Sequence, residues 1–127
     1  MRIIALIFAG LVQLCLGRDC PTKSSDLGLN VAHGGKQEVS FVNKGSMDLD
    51  AYWVNVHSGE EVSVGMIEMS QTLDIGSYVG HAFRIYSLNG HVLMKELVVE
   101  QGITKIMIYD CAGAFESKPN RDEEFAS

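Results

Sequence analysis

Hydrophobic and polar residues alternate in short runs along most of the chain from Glu38 onward. This alternation is typical of half-buried β-strands. Turn residues separate the runs, and Asn89-Gly90 is a strong signal for a β-hairpin. No stretch shows a sustained helical period. The pattern therefore predicts an all-β fold, a small antiparallel β-sandwich of about seven strands: Glu38–Asn43, Leu49–His57, Glu61–Ile67, Thr72–Ile75, His81–Tyr86, His91–Glu100 and Ile103–Tyr109.

Two segments flank this strand pattern. Residues 18–36 contain Ser, Gly and Asp with weak periodicity, and they predict an N-terminal arm with one short strand at Leu27–Ala32. Residues 113–127 are rich in charged side chains and contain Pro119, which predicts a flexible acidic tail. The folded domain is therefore expected over residues 37–112.

The N-terminal segment, residues 1–17, has a different composition from the rest of the chain. Arg2 supplies one positive charge, an apolar run follows it, and the small residues Cys15 and Gly17 precede a suitable cleavage point. The run ends at Arg18, short of the roughly 20 apolar residues of a membrane-spanning helix. We expect residues 1–17 to be a signal peptide and the mature protein to be secreted. An uncleaved membrane anchor is the alternative.

Cleavage would change the charge of the protein. Removing residues 1–17 takes away Arg2, one of the 10 basic side chains, and none of the 16 acidic ones, so that the net charge becomes −7 rather than −6. The remaining chain, Arg18–Ser127, has a length that fits one domain. The acidic balance argues against nucleic acid and anionic membrane surfaces as partners, because both attract clustered Lys and Arg.

The cysteines support the same compartment. Cys15 would leave with the signal peptide, and the mature chain would keep Cys20 and Cys111. Two cysteines in an oxidising compartment most simply form one disulfide. Two free buried thiols are the alternative.

Catalytic and metal-binding signatures are mostly missing from the sequence. It has no Gly-rich phosphate loop, no Gly-x-Ser-x-Gly motif and no His-Glu-x-x-His motif. Its four histidines, at positions 33, 57, 81 and 91, contain no short ligand pair. We therefore expect a protein that is not an enzyme and needs no cofactor or metal. The alternative is a small hydrolase or metal-dependent enzyme that uses His81 with Asp74.

One segment, Ile75–Phe83, carries a candidate binding chemistry. Ser77 and His81 lie four residues apart with Gly80 between them, so that both side chains can project from one side of a turn. Together they form a suitable receptor for a single hydroxyl group. Trp53, the only tryptophan, either belongs to the core or presents a flat apolar face beside this pair.

At these residues the sequence resembles the β domain of the von Hippel–Lindau protein family. The resemblance covers roughly Glu38–Val99, about half of the mature chain. The blocks that carry it are Phe41–Asn43, Tyr52–Asn55, Gly59-Glu60 and Ile75–Phe83.

The resemblance implies a β-sandwich that recognises 4-hydroxyproline in an extended peptide, as that family does in hypoxia-inducible factor. Trp53 would then pack on the pyrrolidine ring, and Ser77 and His81 would form hydrogen bonds with its hydroxyl. Phe83 stands where the family has a second tryptophan and would give the pocket a smaller aromatic wall.

The chain departs from the family at two further points. Glu61–Ile67 lacks the tyrosine that the family uses on this strand, and Val64 is the nearest match. The sequence after Tyr109, which runs to Ser127, is too short for the family's helical Elongin-binding domain. Elongin binding and a role in ubiquitin ligation are therefore not expected.

These observations together predict a secreted, non-enzymatic peptide-binding module. Its partner would be an extracellular or secretory-pathway protein, with hydroxyproline recognition as the specific case and collagen-like chains as a ligand class. The alternative is a secreted structural or interaction domain that has lost the pocket, in which Trp53 and Phe83 belong to the core.

Overall fold

The computed structural model describes residues 18–114; the predicted signal peptide and residues 115–127 of the predicted tail lie outside this range. Within it, the strands form two sheets, with the orders β4-β1-β7 and β3-β2-β5-β6. The all-β prediction is thus confirmed. The strands are β1 Lys36–Asn43, β2 Leu49–Val54, β3 Glu61–Ile67, β4 Thr72–Tyr78, β5 Ala82–Ser87, β6 Leu93–Val98 and β7 Lys105–Ile108.

One strand pair differs from the antiparallel pattern that we expected. β7 runs parallel to β1, with Phe41 opposite Ile106, whereas the other pairs are antiparallel. The chain crosses from one sheet to the other after β6, which allows β7 to run in the direction of β1. Alternation of polar and apolar residues does not report strand direction, so the sequence pattern could not reveal this pair.

The second predicted strand runs shorter than its sequence pattern. β2 ends at Val54 instead of continuing to His57. The side chain of Asn55 accepts hydrogen bonds from the backbone N–H groups of His57 and Ser58, at 3.0 and 3.3 Å. An asparagine that bonds to the backbone two and three residues ahead favours a turn over a strand ladder.

The core lies between the inner faces of the two sheets. Phe41 of β1 and Phe83 of β5 meet edge to face, with ring centroids 5.3 Å apart. This is a favoured arrangement for aromatic rings. Aliphatic side chains that are almost completely buried surround the pair: Val39, Leu49, Ile67, Ile85, Val99 and Ile108.

The N-terminal arm covers the outer face of the four-stranded sheet, and the strand predicted at Leu27–Ala32 is not formed. Residues 25–30 make turns instead, and the N–H of Leu29 donates to the carbonyl of Asp26 at 3.0 Å. Gly28 has a φ of +72°, and a Cβ there would lie 3.3 Å from the Cβ of Ala82. The left-handed turn and the close approach to β5 both favour glycine, and they explain why the arm turns where the apolar residues suggested a strand.

A disulfide fixes the start of the arm. Cys20 and Cys111 are bonded, with their Cα atoms 4.9 Å apart, which bears out the predicted pairing. The N–H of Ala112 also donates to the carbonyl of Arg18 at 2.9 Å. Ala114 beyond them is completely buried, so that the beginning of the predicted tail belongs to the packed domain.

Ionic contacts hold the middle of the arm on the sheet. Arg84, only 4% exposed, donates to Glu61 at 3.0 Å and to Glu96 at 3.2 Å. A third guanidinium nitrogen of Arg84 donates to the carbonyl of Ser24 in the arm, whose own N–H donates to Glu96 at 3.2 Å. The hydroxyl of Tyr86 donates to Glu61 at 2.7 Å. We call these five residues the arm clamp.

The arm clamp stabilises its two carboxylates in the charged form. Burial alone would raise the pKa of Glu61 and Glu96. Hydrogen bonds from Tyr86 and Arg84 to Glu61, and from Ser24 and Arg84 to Glu96, outweigh burial and hold the pKa of each carboxyl below its ordinary value. The stability from these shifts is present above the ordinary glutamate pKa and is lost as the pH falls below it.

Removing the disulfide should destabilise the domain. In the double variant Cys20→Ser/Cys111→Ser, we expect the free energy of unfolding to fall by about 3–4 kcal/mol, because the bridge closes a long loop in the unfolded chain. Urea denaturation followed by the fluorescence of Trp53 measures the change. The wild-type protein treated with a reductant should match the variant. Equal stability of oxidised and reduced protein would contradict the bridge.

Removing the arginine of the arm clamp should leave Glu96 without a cation and Glu61 with only the exposed Lys23. We expect Arg84→Met to lower the free energy of unfolding by about 3–5 kcal/mol at neutral pH. Because Glu61 and Glu96 protonate in acid, the difference from wild type should shrink below about pH 4. Lys23→Met is the control, since this exposed lysine lies 3.3 Å from Glu61 and its pair should contribute less than about 1 kcal/mol. Urea titrations at several pH values test both variants.

Candidate binding pocket

A pocket of about 180 Å³ opens where the arm, the end of β2 and the turn between β4 and β5 meet. A larger cavity of about 250 Å³ beside the disulfide contains none of the residues predicted for binding. The smaller pocket is therefore the candidate site. Its lining consists of His33, Trp53, Val54, Asn55, Val56, His57 and His81.

Trp53 provides the flat apolar wall of this pocket. It lies opposite Phe83 of β5 on one side and opposite Val62 of the edge strand β3 on the other. Its side chain packs against the core and is only partly buried. The ring centroid of Trp53 lies 6.0 Å from that of His81. The indole thus contacts the core on one side and lines the pocket on the other.

Ser77 and His81 are brought together by the turn between β4 and β5, as their spacing predicted. The hydroxyl oxygen of Ser77 lies 3.4 Å from Nδ1 of His81. Gly80, with a φ of +96°, makes the turn possible, and the N–H of His81 donates to the carbonyl of Tyr78 at 3.1 Å. Ser77 is 4% exposed and is not among the residues that line the pocket.

The structure places Phe83 in the core and not in the wall of the pocket. Phe83 is 2% exposed and packs on Phe41. It lies opposite Trp53 on the same face of the sheet, but the core covers it almost completely. Phe83 therefore does not supply the aromatic wall that the family resemblance implied. Alternation in the sequence indicates which face of a strand a residue occupies but not how deeply that position is buried, so it does not separate Phe83 from Trp53.

The arm adds a pocket residue that local sequence patterns did not indicate. His33 meets His81 edge to face, with ring centroids 5.4 Å apart. Two backbone hydrogen bonds hold this part of the arm: Gly34 donates to the carbonyl of Val79 at 2.9 Å, and Val79 donates to that of Gly35 at 3.0 Å. Only the path of the arm across the sheet brings His33 to the site, and no short-range spacing signals that path.

The pocket also contains His57, from the turn after β2. His33 and His57 are both exposed. Their common pocket depends on contacts between distant segments.

Within residues 18–114, no three His, Cys, Asp or Glu side chains are grouped so that they could hold a metal ion.

Asp74, the acidic partner considered for His81, points to a different face. Its carboxylate accepts a hydrogen bond from the hydroxyl of Ser40 at 2.6 Å on an exposed surface. Asp74 and Ser77 are three residues apart on β4, so their side chains lie on opposite faces of the strand. The structure therefore does not assemble the hydrolase pair that the sequence left open.

The electrostatics of the pocket favour a neutral imidazole. Burial, and then the charge of His33, lower the pKa of His81 from its ordinary value. A neutral imidazole both donates and accepts hydrogen bonds, as does the hydroxyl of Ser77. At neutral pH the two side chains can therefore receive one hydroxyl group in either orientation.

A scan of protein-family models finds no family that matches the chain, and a search of curated proteins finds no match. No helix among residues 18–114 is long and apolar enough to cross a membrane.

Substituting Gly80 should push the arm away from the pocket. In Gly80→Ala, the new Cβ would lie 2.7 Å from Cδ2 of His33 and 2.8 Å from the carbonyl oxygen of Ala32, with a backbone that only glycine adopts easily. We expect the free energy of unfolding to fall by about 1–3 kcal/mol, and the amide of Gly34 to exchange its hydrogen faster.

The matched control is Gly76→Ala on the same hairpin, where a Cβ would meet no atom within 4 Å. This variant should remain close to wild type in stability and in the exchange of Gly34. Equal behaviour of the two variants in urea denaturation and hydrogen exchange would show that the arm does not depend on Gly80.

Proposed function

We propose that this chain is a secreted, non-enzymatic peptide-binding module whose pocket accepts 4-hydroxyproline from an extended peptide. The observation that carries the proposal is the convergence of Trp53, Ser77 and His81. The indole of Trp53 and the imidazole of His81 line one small pocket, and the hydroxyl of Ser77 lies 3.4 Å from Nδ1 of His81.

The size of the pocket suits one side chain. Drug-sized ligands occupy pockets of roughly 300–1,000 Å³, whereas this pocket has about 180 Å³. A pyrrolidine ring could lie flat on the indole of Trp53 and bring its apolar carbons out of water. The proline-type ring is also rigid, so that little conformational entropy is lost when it binds.

The polar groups supply specificity for the hydroxyl. The contact between Ser77 and His81 is long for a hydrogen bond, at 3.4 Å, and therefore leaves capacity for a stronger partner. A hydroxylated ring would provide that partner. An unmodified ring would displace water from both side chains and would form no hydrogen bond with either of them. Each polar group left unpaired in this way typically costs about 1–3 kcal/mol.

The neighbouring strand edges suit an extended peptide. β3 and β4 are both edge strands of their sheets, and Ser77 lies on β4 while Val62 of β3 is opposite Trp53. An extended peptide can pair with the backbone of an edge strand while one of its side chains enters a pocket. The proposed ligand would therefore add main-chain hydrogen bonds to the contacts of its hydroxyproline.

The proposed location follows from the cysteines and the N-terminal segment. The disulfide between Cys20 and Cys111 is compatible with an oxidising compartment, and the apolar run within residues 1–17 has the features of a signal peptide. Collagen-like chains are rich in hydroxyproline and pass through the same compartment. They are therefore the ligand class that we propose to test.

The test compares two linear peptides that are too short to form a triple helix, one with Pro-Hyp-Gly repeats and one with Pro-Pro-Gly repeats. We expect the hydroxylated peptide to bind at least about tenfold more tightly, since one unpaired polar group costs about 1–3 kcal/mol. Calorimetry or the fluorescence of Trp53 measures both affinities. Ser77→Ala should abolish the preference, whereas Ser63→Ala, at an exposed serine on β3, should retain it.

A second candidate function is a structural or interaction domain without a hydroxyproline pocket. The core position of Phe83 and the lack of a tyrosine in β3 favour it, because the pocket then has fewer aromatic walls than the family resemblance implies. Equal binding of the two peptides, or binding of neither, would support this second function and contradict the first.

A further inference from the structure

Three histidines from separate segments line the candidate pocket. His33 comes from the arm, His57 from the turn after β2, and His81 from the turn before β5. None of the other lining residues is an Asp, Glu, Lys or Arg. A proton taken up in this pocket would therefore have no carboxylate in the lining to neutralise it.

His81 is the most enclosed of the three. Its ring is 5.4 Å from that of His33, 5.3 Å from that of Tyr78 and 6.0 Å from that of Trp53, measured between centroids. Its Nδ1 faces the hydroxyl of Ser77. The segment after β6 packs against its backbone, through the N–H of Val99, which donates to the carbonyl of His81 at 2.8 Å.

These neighbours define the electrostatic surroundings of His81. The titratable groups that face it are His33 from the arm, Tyr78 from β4 and His57 across the pocket. Burial and the charge of His33 hold the pKa of His81 below its ordinary value. Both causes act against an imidazolium at this position, and no anionic group in the pocket lining opposes them.

We propose that His33 and His81 make ligand binding at this pocket dependent on pH, so that the pocket binds while His81 is neutral and releases its ligand when His81 is protonated. His81 is the group that takes up the proton, and His33 sets the pH at which it does so. The inference rests on the proposed function, because it describes the regulation of that same site.

The physical basis is the linkage between occupancy and protonation. A ligand that fills the pocket excludes water from the imidazole of His81, and burying an uncompensated charge is costly. The ligand therefore binds the neutral form more tightly and displaces the proton from the protonated form. Affinity should then fall about tenfold for each pH unit below the pKa of His81 in the free protein.

The first experiment needs no ligand. The ring protons of His81 are followed by NMR as the pH is lowered, in wild type and in His33→Asn. The midpoint of His81 should rise in His33→Asn, because the neighbouring positive charge is removed. His33→Lys keeps a positive charge there and should leave the midpoint at or below that of wild type.

The control for this experiment is His57→Asn, which alters the same pocket at a residue without a ring contact to His81. Its effect on the midpoint of His81 should be smaller than that of His33→Asn. A midpoint that is unchanged in His33→Asn, or equally changed in both variants, would overturn the role of His33.

The second experiment measures the binding of the Pro-Hyp-Gly peptide at pH 7.5 and at a pH one unit below the midpoint that the NMR titration finds for His81. In wild type we expect the affinity to be about tenfold lower at the second pH. The loss should begin at a higher pH in His33→Asn, in step with the raised midpoint of His81, while His57→Asn should follow wild type.

The outcomes separate the two proposals. Binding that is equal at both pH values would overturn the pH dependence and leave the proposed function intact. Failure of the peptide to bind at pH 7.5 would contradict the proposed function, and the pH-dependent release of that ligand would fall with it. The NMR titration would still decide whether His33 controls the protonation of His81.

Discussion

The guanidinium of Arg84 is the group on which the arrangement of the arm depends. It is almost fully buried on what would otherwise be the solvent face of the four-stranded sheet, and it holds Glu61, Glu96 and the backbone of Ser24 together. A buried cation is tolerated only where it is paired and its N–H groups have acceptors. The arm provides one acceptor, the carbonyl of Ser24, and excludes water from the two carboxylates. The buried charge of Arg84 therefore needs the arm, and the arm is held in place by that charge.

This requirement extends to the pocket. From Ser24 the arm continues over β5, where Gly28 lies close to Ala82, and then pairs with the turn between β4 and β5 through Gly34 and Val79. His33 reaches His81 at that point. The site thus contains one wall from the strands and one from the arm, and the second wall depends on contacts far from the pocket.

Much of the fold could be predicted from the sequence, because alternation directly reflects which strand face is buried. β3 has the predicted bounds, and Ser77 and His81 meet as their spacing and Gly80 indicated. The parallel pairing of β7 and the covered outer face of β5 could not be predicted in this way. Arg84 and Tyr86 have the pattern of solvent-facing residues, and only a segment distant in the sequence buries them.

The same limit explains which site residues the sequence could predict. Local spacing identified Ser77 and His81 on one turn. The burial of Phe83 in the core and the contact of His33 with His81 depend instead on how the sheets pack and on the path of the arm. Trp53 and Phe83 lie opposite each other on the same face of two inner strands, yet Phe83 is buried in the core whereas Trp53 also lines the pocket. Sequence periodicity contains no information about which of two such positions is covered.

The contact between Arg18 and Ala112 has a practical consequence for how the domain can be joined to other molecules. Arg18 and Ala112 lie together beside the disulfide, near Met94 at the start of β6, whereas the pocket lies near the far end of that strand, where the N–H of Gly80 donates to the carbonyl of Val99. A six-residue strand spans about 20 Å. A label attached at Arg18 or Ala112 would therefore lie about one strand length from the pocket and leave it accessible.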